Sequence, residues 1–201
     1  MRMFTMIKRR ARGKGGFTLT EMLATVLILS LVSGAMAAGI RFAVDQYHRS
    51  MLTSESKVLC STLASIIRGE LSSTTKVTCD GTPDASGFRR VSKFYSLNYA
   101  VGKTHNCSLV MAEMTDAGTL KRLGDDQFGE LALGVGDGED FIGTLLISSA
   151  SYSSYHLRAN AAIRYNQSEN IFRVRLLVAP SGKDETLIDE EFDVIPLNWI
   201  T

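Results

Sequence analysis

The segment from Phe17 to Ile40 constrains this chain more than any other, because it runs apolar with a single ionisable side chain, Glu21. Wound as a helix, it is long enough to cross a hydrocarbon core of about 30 Å. A carboxylate at the head of such a span is expensive in lipid and marks a functional position that lacks its partner. The plainer alternative places Glu21 at headgroup level near a helix N-terminus, where a negative charge is favourable, as part of an ordinary signal-anchor.

The residues ahead of the span narrow the choice. Lys14-Gly15-Gly16 followed by Phe17-Thr18-Leu19-Thr20-Glu21 resembles the class III signal of type IV pilins and type II secretion pseudopilins. The resemblance implies that a membrane peptidase cuts after Gly16 and methylates the new N-terminal residue, Phe17. It makes Glu21 the fifth mature residue and an assembly residue. Implied partners are a prepilin peptidase, other pilin or pseudopilin subunits, an assembly platform with its ATPase machinery, and the membrane. Thr20 stands where the family usually has a bulky apolar residue, and Ala38 where many major pilins carry proline. The missing proline favours a minor pilin or pseudopilin, a structural subunit rather than an enzyme. The alternative is a single-pass membrane-anchored extracytoplasmic domain, binding or enzymatic, unrelated to filaments.

Charge supports an orientation. Residues 1–16 hold Arg2, Lys8, Arg9, Arg10, Arg12 and Lys14 and no acid, leaving 16 basic against 21 acidic residues beyond them, a formal balance of −5. Basic residues before a span hold that side in the cytoplasm, which puts the C-terminal domain outside the plasma or inner membrane. The leader has no aromatic interleaving of the kind that accompanies nucleic-acid binding, so no nucleic acid is expected as a partner.

The fold class expected is α+β: a long N-terminal helix, membrane-spanning in its first half, packed on an antiparallel sheet. After Arg41, the apolar positions Val44, Tyr47, Met51, Val58, Leu59, Leu63, Ile66 and Ile67 recur at spacings near three and four, the mark of an amphipathic helix. Its end is predicted near Arg68-Gly69-Glu70, ahead of the Ser72-Ser73-Thr74-Thr75 cluster. The predicted divisions are a leader at 1–16, a membrane and assembly half at 17–40, an amphipathic half at 41–71 and a β-rich domain at 72–201. Residues 72–90 read as a linking loop.

Beyond it the period becomes two. Val91, Tyr95, Leu97, Tyr99 and Val101 are placed on one strand face with Lys93, and short strands are expected at Cys107–Ala112 and Phe128–Leu133. Glycines punctuate 113–140. Tyr155, Leu157, Ala159, Ala161, Ile163 and Tyr165 alternate with polar residues, as do Phe172, Val174, Leu176 and Val178, and Ile188, Phe192 and Val194 follow a further turn. This predicts a three-stranded antiparallel meander whose apolar face is covered by the amphipathic half of the helix.

Little else suggests chemistry. Gly102-Lys103-Thr104 lacks the upstream glycine of a phosphate-binding loop, and Asp137-Gly138-Glu139-Asp140 lacks the spacing of an EF-hand. His48, His105 and His156 stand singly, and no metal or cofactor is expected. Three pairings of Cys60, Cys79 and Cys107 are possible. The favoured one is Cys79–Cys107, stapling the start of the domain, and the alternative is three buried thiols.

Overall fold

The computed structural model describes residues 17–98, 105–136, 140–154, 156–182 and 185–197. The chain divides into two compact units, Met1–His48 and Arg49–Thr201.

In the first unit, the described residues are the start of helix α1, Leu19–Ser72, preceded by Phe17 and Thr18. All of them, from residue 17 to 48, are exposed. Among the described residues, α1 is the one helix long and apolar enough to cross a membrane. Two of its hydroxyls fold back on their own turns, Thr25 donating to the Met22 carbonyl and Ser30 to that of Leu27. These bonds remove the penalty of carrying bare hydroxyls in an apolar helix.

The second unit takes α1 from Arg49 onward. Leu59, Cys60, Leu63, Ala64, Ile67 and Leu71 are buried, at the three- and four-residue spacing that forms one helix face. Ser56, on the same face, satisfies its hydroxyl on the Leu52 carbonyl at 2.7 Å. Val58, expected on the apolar face, points away and is 60% exposed. The helix ends two residues beyond the expected place. Ser72, Ser73 and Thr74 then turn their hydroxyls onto the Gly69 and Glu70 carbonyls, satisfying acceptors that a helix C-terminus leaves open.

The sheet is built from β1 (Lys76–Asp80), β2 (Phe88–Tyr95), β3 (Asn106–Met114), β4 (Leu120–Arg122), β5 (Glu130–Val135), β6 (Ile142–Leu145), β7 (Leu157–Asn166), β8 (Ile171–Pro180) and β9 (Ile188–Val194). A short helix, α2 (Ser149–Ser153), precedes β7. These nine strands form one antiparallel sheet in the order β6-β5-β3-β2-β7-β8-β9, with β1 against β2 and β4 against β3. Strands β7, β8 and β9 are the expected meander in continuous register. Their inward rows, Leu157 to Tyr165, Phe172 to Val178, and Phe192 with Val194, pack with the buried residues of α1 in one core. Each large side chain so buried contributes about 1.5–3 kcal/mol. The long helix packed with an antiparallel sheet is the α+β arrangement expected.

Two sequence expectations fail in the same place. Residues 72–90 are not all loop, because β1 lies among them. In β2 the inward residue is Phe94, not Tyr95, and Leu97 lies beyond the strand. The cause is a bulge: Thr78 and Cys79 on β1 oppose Lys93 and Val91 on β2, so Ser92 is an extra residue. One inserted residue flips every later side chain to the other face. Ser92 is tied on both sides, its hydroxyl donating to the Thr78 carbonyl and its own carbonyl accepting from the Ser108 hydroxyl. The expected positions Tyr99 and Val101 lie outside the described residues.

The bulge also forks the sheet. β1 pairs with β2 from Arg90 to Tyr95. On the other side of β2, β7 pairs at Phe88–Arg90 and β3 at Phe94–Tyr95. Between these two attachments β3 and β7 part, and further on an antiparallel bridge joins Gly129, directly before β5, to Ala159 of β7.

Candidate processing and assembly site

The start of α1 is closed by a reciprocal set of bonds between Thr18 and Glu21. The Thr18 amide and hydroxyl both donate to Glu21 Oε2 at 2.9 Å, and the Glu21 amide donates to Thr18 Oγ1 at 3.3 Å. Met22 N–H donates to the Thr18 carbonyl at 3.1 Å, the first bond of the helix. Thr18 is therefore the N-cap and Glu21 the third helical residue, a capping box that satisfies two otherwise open amides. The sequence carries the signature of this device, threonine three residues before glutamate at the head of an apolar run. Thr20 does not bond back into its turn; its hydroxyl meets that of Thr18 at 3.0 Å.

Among the expected site residues, the structure brings Phe17 and Glu21 to one helix end. Phe17 is 75% exposed, directly before the cap. Gly16 and the basic leader lie outside the described residues. Glu21 has no cation within ion-pair reach among the described residues, and its Oε2 accepts both bonds from Thr18.

Cys79 and Cys107 are not brought together, and all three cysteines are free. The register keeps the expected pair apart. Cys79 on β1 lies opposite Val91 and Cys107 on β3 opposite Phe94, with β2 running between them. Two strand spacings are roughly 10 Å, beyond the roughly 7 Å a disulfide spans between α-carbons. Cys107 is buried with its thiol toward the Phe94 carbonyl at 3.7 Å. Cys60, buried on α1, donates to Glu190 Oε2 on β9 at 3.3 Å. Burial pushes the thiols of Cys60 and Cys107 up to about 12, with Glu190 adding to the shift at Cys60 and Glu70 at Cys107.

The outer face of the sheet carries a cleft of about 530 Å³ at the fork, with Phe94, Leu109, Met111 and Ile163 in its lining and Arg90, Arg164, Arg173 and Arg175 among its polar groups. Arg90, Arg164 and Arg173 stand in one cross-strand row, a like-charge arrangement that needs counter-charges. Carboxylates from three places supply them: Asp125 to Arg90, Asp84 to Arg164 at 3.6 Å, and Asp193 to Arg173 through two bonds of 2.9 and 3.0 Å. The arginines of this cleft are thus satisfied from within the chain.

No group of three or more histidine, cysteine, aspartate or glutamate side chains able to hold a metal occurs among the described residues. His48 meets the Tyr47 ring and His105 the Tyr95 ring. The stretches 102–104 and 137–139 lie outside the described residues.

Comparison with known proteins bears on the N-terminus alone. No curated protein and no solved structure matches the chain. Residues 11–37 match the family model described as the prokaryotic N-terminal methylation motif. This interval holds Gly16, Phe17, the capping box and most of the apolar span, so the chain carries the class III signal of type IV pilins and pseudopilins.

Proposed function

We propose that this chain is a structural subunit, a minor pilin or pseudopilin, of a type IV pilus-like or type II secretion-like filament. It is made as a precursor and cut after Gly16 by a prepilin peptidase. The observation that carries this reading is the exposure of every apolar side chain from Leu19 to Phe42 behind a capped Glu21. So large an apolar surface is stable only when covered. A bilayer covers it before assembly and sister helices cover it afterwards.

Hydrolysis of the Gly16–Phe17 amide adds water across the bond, so Gly16 leaves as a carboxylate and Phe17 keeps an amine. That amine is one helical turn from Glu21, and each is the counter-charge the other lacks in a low-dielectric surrounding. In a staggered bundle the amine of one subunit meets Glu21 of its neighbour, which fixes register. The basic leader keeps the N-terminus cytoplasmic and sends the domain outward. Other pilin-type subunits, the assembly platform and its ATPase are the partners.

Intact-mass measurement of protein extracted from native membranes tests the processing step. The expected mass lacks residues 1–16 and carries one additional methyl group. A full-length chain in a host that processes its other prepilins overturns the proposal.

A further inference from the structure

We infer that Thr18 is a positioning residue for leader removal: by capping α1 it keeps Phe17, the residue on the mature side of the cleavage point, outside the helix at a fixed offset from the membrane span. This rests on the proposed function, because it concerns how the precursor is presented to its peptidase.

The geometry is that of a stop. Phe17 and Thr18 are non-helical and Leu19 is the first helical residue. The Thr18 carbonyl takes the first helical bond from Met22, while its amide and hydroxyl are turned onto Glu21. An N-cap residue so engaged cannot adopt helical dihedrals itself, so the helix does not propagate toward Phe17. Peptidases act on extended, accessible backbone, and a peptide bond taken into a helix is withheld from them. A helix that instead frays past Leu19 lets the cleavage point drift in depth and rotation relative to the span. The cap prevents both errors. The bond to be cut lies one residue ahead of it.

Glu21 enters this device as a hydrogen-bond acceptor, and glutamine serves equally at the third position of a capping box. The two roles of Glu21, capping before cleavage and charge pairing after it, are therefore separable by substitution.

The test is the rate of conversion of full-length to shortened chain in the native host, followed by pulse-labelling and intact mass within the membrane fraction. Thr18→Val keeps shape and removes the hydroxyl; conversion is expected to slow by about five- to tenfold, the weight of one N-cap. Thr18→Ser keeps the hydroxyl and is expected to stay within about twofold of wild type, a rescue that loss of packing alone would not give. Glu21→Gln keeps the acceptor and is expected to convert faster than Thr18→Val. Counting the precursor inside the membrane fraction separates slow cleavage from failed insertion. Thr18→Val cut as fast as wild type, or Glu21→Gln cut slowly while Thr18→Val is not, overturns the inference, the second result by showing that the peptidase reads the charge. A wild-type chain that retains residues 1–16 overturns the prepilin reading instead, so the two failures are distinct.

Discussion

Gly134 on β5 and Gly143 on β6 face each other in register, and a Cβ on either would fall within the ring of Phe141. The ring covers both glycines and joins Val110, Ala112 and Ala132 in a second, smaller core. Gly134→Ala is therefore expected to destabilise the domain by about 1–3 kcal/mol through overpacking. Phe141→Ala is expected to cost about 3–5 kcal/mol. Because the two sites share one contact, the double variant should lose less than the sum. Urea midpoints of the detergent-solubilised chain measure all three, and simple additivity would show that ring and glycine do not press on each other.

The same pair shows where sequence reading reached its limit. Glycines punctuate 113–140 and interrupt any alternation there, yet Gly134 is a strand residue beneath an aromatic ring. The C-terminal meander was legible because its three strands alternate without interruption over one buried face. β2 was not, since one extra residue at Ser92 exchanges its faces midway. β1 is short and half-exposed, so turn formers around it dominated the pattern. At the N-terminus, Glu21 was conspicuous as the lone charge, while the cap that holds it rests on a hydroxyl three residues earlier.

The cysteines carry a redox and an alkaline prediction. Non-reducing peptide mapping of membrane-extracted protein is expected to recover Cys79 and Cys107 unlinked, because β2 separates them. A Cys79–Cys107 peptide would mean that β1 or β3 leaves its place on oxidation. Cys60 and Cys107 are held up to about 12 by burial, well above an ordinary thiol. A thiol whose proton is held more tightly in the fold gives stability that is complete below the unfolded value and lost as pH rises between about 9 and 12. Cys60→Ala with Cys107→Ala should flatten the fall in stability over that window relative to wild type. An unchanged slope would assign the alkaline loss to other groups.

Acid acts on the opposite edge of the titration range. Arg175 bonds Asp189 and Arg173 bonds Asp193, each by two parallel contacts, and these bonds hold both carboxyls below the usual carboxylate range. A lowered carboxyl contributes stability above its unfolded value and loses it as pH falls through the folded one. The contribution is small, since these groups face solvent and salt screens them. Arg175→Gln should therefore narrow the difference in stability between pH 7 and pH 3, and raising salt at pH 7 should shrink the gap between variant and wild type. A gap unaffected by salt would point to the arginine stem packing rather than its charge.

Neutralising Glu21 separates folding from assembly. The core of the second unit is built from residues Leu59 onward, so Glu21→Gln is expected to leave the unfolding midpoint of the detergent-solubilised chain where it is. The glutamine also keeps the capping box, so leader removal should proceed. What it lacks is the charge that, on the proposed processing after Gly16, pairs with the Phe17 amine. Removing one member of a buried ion pair typically costs about 3–5 kcal/mol, because the remaining charge stays buried without a partner. Repeated at each subunit contact, that loss is enough to exclude the variant from a filament. Immunoblots of sheared filaments beside membrane fractions should find Glu21→Gln in the membrane, shortened to its mature length, and depleted from filaments at least tenfold. Glu21→Asp keeps the charge on a shorter stem and should be depleted less. Equal amounts of wild type and Glu21→Gln in filaments would reduce the carboxylate to its capping role, and the register of the assembly would then have to come from the apolar side chains that follow it.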